Sequence, residues 1–164
     1  MLLLLMRHGI AEPISTSAPD DFQRPLTHEG RDRAHRAARG LHELVPTLDF
    51  LASSPKIRAR ATAQIVRDVF GKKAPPLTEW SELMADDAPS LQRKLAGLKA
   101  QTVLLCGHEP HLSRFASQLL SGSAERLQLE WKKAGICALE VEFAPSSARL
   151  LWHLTPKQLR KIGK

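Results

Sequence analysis

Two short apolar runs, residues 2–6 and 102–106, break off into the same chemistry: Arg7-His8-Gly9 after the first and Gly107-His108 after the second. A brief apolar run closed by glycine and a polar group reads as a buried strand feeding a loop. Helical patterns fill the intervals. Thr27 stands where an N-cap belongs for a helix over 28–45, with Glu29 in its first turn. Ala34, Ala37, Ala38, Leu41, Leu44 and Val45 form its apolar positions, Arg31, Arg33, Arg36 and Arg39 its other face, and Pro46 follows. A second strand is expected over 49–53. The turn Ser54-Pro55 then opens a helix over 56–70 that Gly71 stops. Residues 72–90 read as irregular, with a short strand at 76–78, and a helix follows near 89–98. Pro110 begins a helix over 110–121. Strands at 136–143 and 149–154 are joined by the turn Ala144-Pro145-Ser146-Ser147, and Thr155-Pro156 caps a last short helix.

Strands that alternate with helices specify an α/β fold. The expectation is a mostly parallel central sheet with helices on both faces, in a single domain over 1–164. Ligands of such sheets bind in the crevice beyond the carboxyl ends of the strands, which is where both histidines fall. Composition agrees: 43% hydrophobic and 25% charged residues exclude a disordered or low-complexity chain. No run approaches the ~20 apolar residues of a membrane helix, and the first residues lack a secretory pattern, so a cytoplasmic location is expected. Cys106 and Cys137 both lie in apolar runs and read as buried, reduced thiols. The net charge is +7, and from residue 143 onward there is no Asp or Glu but Arg149, Lys157, Arg160, Lys161 and Lys164. Such a balance suits an anionic substrate, an acidic partner or nucleic acid, or is only a solvated tail. Five Phe, three Trp and no Tyr leave few rings for base stacking, and no nucleic-acid motif is present, which argues against nucleic acid.

The chemistry-bearing residues cluster at strand-to-helix junctions. His8 is a potential nucleophile, because neutral imidazole is available near pH 7. Arg7 supplies a planar, permanent charge that matches phosphate oxygens. Arg58 falls in the first turn of its helix, where the dipole favours an anion. Arg60 and Arg67 read as surface residues. Gly107 gives room beside His108, and the helix after Pro110 offers free N–H groups. The His108/His111 spacing invites a zinc site, but no Cys or Glu set with zinc spacing accompanies it, and His111 reads as a rim residue.

The ordered set Arg7-His8-Gly9, Arg24-Pro25-Leu26-Thr27 with Gly30, Ser54-Pro55 followed by Arg58-Ala59 and Thr62, and Gly107-His108 resembles the histidine phosphatase, or phosphoglycerate-mutase-like, superfamily over residues 1–120. Residues 107–113 and 152–157 are similar to its SixA-type phosphohistidine phosphatase branch. The resemblance implies that His8 attacks phosphorus and carries a transient phosphoryl group. Arg7, Arg58 and His108 bind its oxygens, Arg24 and Glu109 join as substrate contacts, and no metal or organic cofactor takes part. Ester-cleaving members use an acidic residue as general acid. Here that role falls to Glu82 first and Asp86 second, and a phosphohistidine substrate relieves the need for it. The short stretch 71–101 leaves little for a lid, so an open site facing a phosphohistidine-bearing protein, a phosphotransfer domain or phosphocarrier, is the expected arrangement, in a monomer. The alternatives are a phosphatase of small phosphomonoesters, nucleotides or polyphosphate with the same core, and a non-enzymatic phosphate-binding module.

Overall fold

A computed structural model describes residues 1–16 and 18–164. The chain runs β1 (Leu2–Arg7), α1 (His28–Leu44), β2 (Phe50–Ser53), α2 (Ile57–Phe70), β3 (Leu77–Glu79), α3 (Ala88–Ala96), β4 (Thr102–Gly107), α4 (His111–Ser121), β5 (Ile136–Phe143), β6 (Ser146–Leu154) and α5 (Pro156–Ile162). The six strands form one sheet in the order β3-β2-β4-β1-β5-β6. The first four are mutually parallel, and β5 and β6 run antiparallel. The sheet is therefore mixed, with a parallel centre. Ser146 and Ser147, expected in the turn, belong to β6, which begins three residues before the expected 149, because the pairing with β5 continues to the hairpin end.

Alternation along β1 sends Leu4 and Met6 to one face and Leu3 and Leu5 to the other. α1, α2 and α5 cover the first face, and α3 and α4 the second. β1 and β4 are neighbours, yet the helices that follow them leave on opposite faces. That is a topological switch point, where a crevice opens at the strand ends.

Local chemistry sets the helix ends. Thr27 Oγ1 accepts from Gly30 N at 2.8 Å, and Thr155 forms a reciprocal capping box with Gln158. Gly71, at φ 69°, ends α2. Leu44, expected in the core, is 41% exposed because the helix ends there, whereas Val45 turns inward.

Two helix contacts have no space for a side chain. A Cβ on Gly30 would lie 2.0 Å from the Ile10 carbonyl oxygen, so the first turn of α1 presses on the loop just after His8. A Cβ on Gly40 would lie 1.9 Å from the Leu159 carbonyl oxygen, which is how α5 seats on α1. Gly30→Ala is expected to destabilise the protein by about 1–3 kcal/mol through overpacking and to displace the His8 loop. Urea unfolding midpoints read the first effect, and an unchanged midpoint would contradict the packing.

Candidate active site

In-register pairing builds the site. Met6 pairs with Cys106 and Arg7 with Gly107 on β1 and β4, while Ser53 pairs with Cys106 on β2 and β4. Three strands thus end at one level, and His8, Ser54 and His108 are each the next residue. Backbone bonds continue the pairing past the strand ends: His8 N donates to Gly107 O at 3.1 Å and Ser54 N to Cys106 O at 2.9 Å. The His8 and His108 rings lie 5.0 Å apart, and His108 Nε2 is 2.8 Å from Ser54 Oγ.

The surroundings fix the form of His8. Its Nδ1 is 2.7 Å from the Gly9 carbonyl oxygen. A carbonyl only accepts, so Nδ1 carries the proton and Nε2 the lone pair. Arg58 Nε, 3.2 Å away, points at that lone pair. The Gly9 backbone is held in turn, because Gly9 N donates to Thr62 Oγ1 at 3.0 Å and Thr62 Oγ1 donates to Arg58 O at 2.7 Å. Thr62 therefore ties the loop of the nucleophile candidate to the first turn of α2.

Arg7 donates through Nη1 to the Trp131 carbonyl, and its backbone N donates to Gly135 O at 3.1 Å. Arg7 Nε and His108 Nδ1 are buried without a protein partner, so the site holds more hydrogen-bonding capacity than the fold uses. The loop before β5 closes the floor. Ala134, in the left-handed region at φ 62°, donates its N–H to the carbonyls of both Arg7 and His8.

Positive charge dominates. Burial pushes His8 down to about 3, and the nearby charges of Arg58, Arg7 and Lys133 push the same way against the Gly9 hydrogen bond. His108 is pushed down to about 2, by burial first and then by His8, Arg58 and Lys56. Both imidazoles are neutral at neutral pH. The Lys133 ammonium is also held below its ordinary value, by burial and by Arg7, Arg24 and Arg58. These cations crowd one spot, an arrangement that suits a multiply charged anion.

The structure brings Arg7, His8, Arg58 and His108 together and sets Arg24 at the edge. Arg24 donates through Nε to the Glu12 carbonyl (2.6 Å) and through Nη1 to Asp21 (2.9 Å). The acid candidates are engaged elsewhere. Both Glu82 oxygens accept from Lys94 Nζ at 2.9 Å, which holds that carboxyl below its ordinary range. A general acid needs the opposite shift. Asp86 pairs with Arg114 at 2.8 Å, and His111 Nδ1 lies 3.7 Å from it. Glu109 accepts from Ser113 N (3.2 Å) and Oγ (2.6 Å) in the first turn of α4, and its negative charge also acts on the Arg7 guanidinium. Among the described residues, no group of three His, Cys, Asp or Glu side chains could hold a metal. Asp21, Lys56 and Lys133 escaped the sequence reading. Only the neighbours of Lys56 in its motif carried any signal for it.

Leu159, in the basic end of the chain, packs on Gly40, ten residues along α1 from Gly30, while the segment just before it lies beside the loop that binds Arg7: the His153 ring is 4.7 Å from that of Trp131, whose carbonyl accepts from Arg7 Nη1.

The model of the histidine phosphatase superfamily (branch 1) matches residues 3–94. An uncharacterized protein of Picosynechococcus sp. (strain PCC 7002) is 33% identical over 148 residues, covering 85% of this chain and 84% of its own. The protein histidine phosphatase SixA, solved with tungstate, superposes with TM-score 0.85 at 23% identity, covering 97% of this chain and 99% of that one. The alpha-ribazole phosphatase of Shigella flexneri gives TM-score 0.71 at 17% identity, over 95% and 97%. A mycobacterial glucosyl-3-phosphoglycerate phosphatase, solved with inorganic phosphate, gives 0.69 at 17%, over 95% and 98%. The chain belongs to the histidine phosphatase superfamily.

The buried neutral imidazoles predict a pH dependence of stability. Unfolded histidines, at the ordinary 6.5, take up protons that the native rings, at about 3 and about 2, refuse. The unfolded state then binds more protons, so stability is full above pH 6.5 and falls as pH drops towards 3. Urea midpoints between pH 7 and 4.5 should fall, and less steeply in His108→Asn. Equal slopes in the two proteins would refute the assignment.

Proposed function

We propose that this member of the histidine phosphatase superfamily is a phosphohistidine phosphatase that hydrolyses phosphoryl groups from the histidine of a partner protein, a phosphotransfer domain or phosphocarrier. The observation that carries the reading is the His8 ring, with its Nδ1 proton held by the Gly9 carbonyl and its unprotonated Nε2 turned towards Arg58 Nε, from which it accepts.

In this reading Nε2 of His8 attacks phosphorus in line, forming the N–P bond as the substrate's N–P bond breaks. Arg7, Arg58 and His108 take up the charge on the equatorial oxygens, with Arg24 at the rim. Such transfer depends on positioning and charge stabilisation, which arginines and imidazoles supply. The departing imidazole leaves neutral once its other ring nitrogen is protonated, so no enzyme acid has to meet an alkoxide. The same logic serves the second step. The Gly9 carbonyl keeps Nδ1–H in place while Nε2 is phosphorylated. His8 therefore also leaves as a neutral imidazole when water attacks phosphorus.

The ester-cleaving alternative keeps this core but needs an acid. Glu82 would have to leave Lys94, or Asp86 leave Arg114, and gain a proton. The ion pair that keeps Glu82 charged favours the phosphohistidine reading. Two free buried thiols suit a reducing cytoplasm.

His8→Ala should lower hydrolysis of a phosphohistidine protein by more than ~10³-fold, because the nucleophile is lost. The wild type should trap an acid-labile phosphoryl group that the variant does not, and tungstate should compete with substrate. Unchanged turnover in the variant would end the reading. Assayed side by side, the phosphohistidine protein should give a higher kcat/KM than small esters, and the reverse order would select the alternative.

A further inference from the structure

The Asp21 carboxylate stands among the cations of the cup. Asp21 lies in the loop between β1 and α1. Its Oδ2 accepts from Lys56 Nζ at 2.6 Å and from Arg58 Nη2 at 2.9 Å, and its Oδ1 accepts from Arg24 Nη1 at 2.9 Å. Its backbone carbonyl accepts from Arg58 Nη1. The next residue continues the grip, since the Phe22 carbonyl accepts from Ile57 N at 3.1 Å. A single turn of the loop thus holds the start of α2 through side chain and main chain together.

The geometry of Arg58 gives this clamp a purpose. A guanidinium is a rigid plane with its donors in fixed directions. Nη1 and Nη2 of Arg58 both meet Asp21, one at the carbonyl and one at the carboxylate, while Nε meets His8 Nε2. Fixing the two outer nitrogens fixes where the third points. The Arg58 side chain is 6% exposed, while the Asp21 side chain that pairs with it is 44% exposed. Arg24 and Lys56, tied to the same carboxylate, are held beside it.

We infer that Asp21 is a positioning residue of the phosphoryl cup, which sets the plane of Arg58 so that its Nε faces the nucleophilic nitrogen of His8 and the oxygens of a phosphoryl group arriving there. Asp21 itself touches no substrate. The inference rests on the role proposed above for His8 and Arg58. A competing account makes Asp21 only an internal anion that fills the cation cluster in place of substrate. The two accounts differ in sign. Loss of a positioning residue weakens both oxyanion binding and turnover, whereas loss of a competitor strengthens binding.

The test compares the wild type with Asp21→Asn and Asp21→Glu in two measurements: tungstate affinity by calorimetry, and kcat and KM on a phosphohistidine protein. Asp21→Asn keeps the size and removes the charge. It should lower kcat by roughly tenfold to a hundredfold, the scale of a misplaced catalytic group, and weaken tungstate by at least about tenfold. Asp21→Glu restores a carboxylate one methylene further out and should recover part of both losses. A merely structural role would lower the melting temperature without this order among the variants. Tungstate affinity unchanged or tightened in Asp21→Asn, with kcat unchanged, would overturn the inference. If Asp21→Asn does not fold, Asp21→Glu carries the test alone, and wild-type values for both quantities would overturn it. A wild type that binds tungstate but does not hydrolyse phosphohistidine would refute the proposed substrate and leave the tungstate comparison standing.

Discussion

The parallel pairing of β1 with β4 is the constraint from which the site follows. Met6 opposite Cys106 and Arg7 opposite Gly107 bring two histidines, a hundred positions apart in the chain, to the same height. β2, on the far side of β4, ends at that height too and adds Ser54. Leu3, Leu4, Leu5 and Met6 are all at 0% exposure, so β1 is buried on both faces with leucine on each. Apolar packing holds the strand at the centre of the sheet, and hydrogen bonds at its two ends mark the register: Leu2 N donates to Gln101 O at 2.7 Å and His8 N to Gly107 O at 3.1 Å. That register sets the distance between the rings.

Charge then decides what the cup accepts. Arg7, Arg24, Lys56, Arg58 and Lys133 converge there, and two neutral imidazoles add hydrogen bonds without adding charge. Asp21, tied to Arg24, Lys56 and Arg58, offsets part of the repulsion, and Glu109 acts the same way on Arg7. The group lies where desolvation strengthens each interaction.

Legibility in the sequence followed the range of each interaction. Strand ends, caps and helix stops are local, and Thr27, Gly71 and the Thr155 cap were readable from a few neighbours. The two histidines were readable because each closes a buried strand. Their convergence was supplied by the family resemblance together with the fold rule for parallel sheets. Asp21, Lys56 and Lys133 were not legible, because their value lies in long-range contacts from loops without periodicity. Glu82 illustrates the reverse. A carboxylate in an irregular stretch looks available until the fold places Lys94 against both of its oxygens. Leu44 fitted the helical period but fell at the helix end, where burial stops.

The central place of β1 has a consequence for biogenesis. Its partners are Thr102–Gly107 on one edge and Ile136–Phe143 on the other. Of the six strands, β1 is therefore the one with the longest delay between its own synthesis and that of its second neighbour. At ~5–20 residues per second, its leucines wait on the order of ten seconds or more for cover. That delay is far longer than in a sheet whose corresponding strand closes into an immediate hairpin.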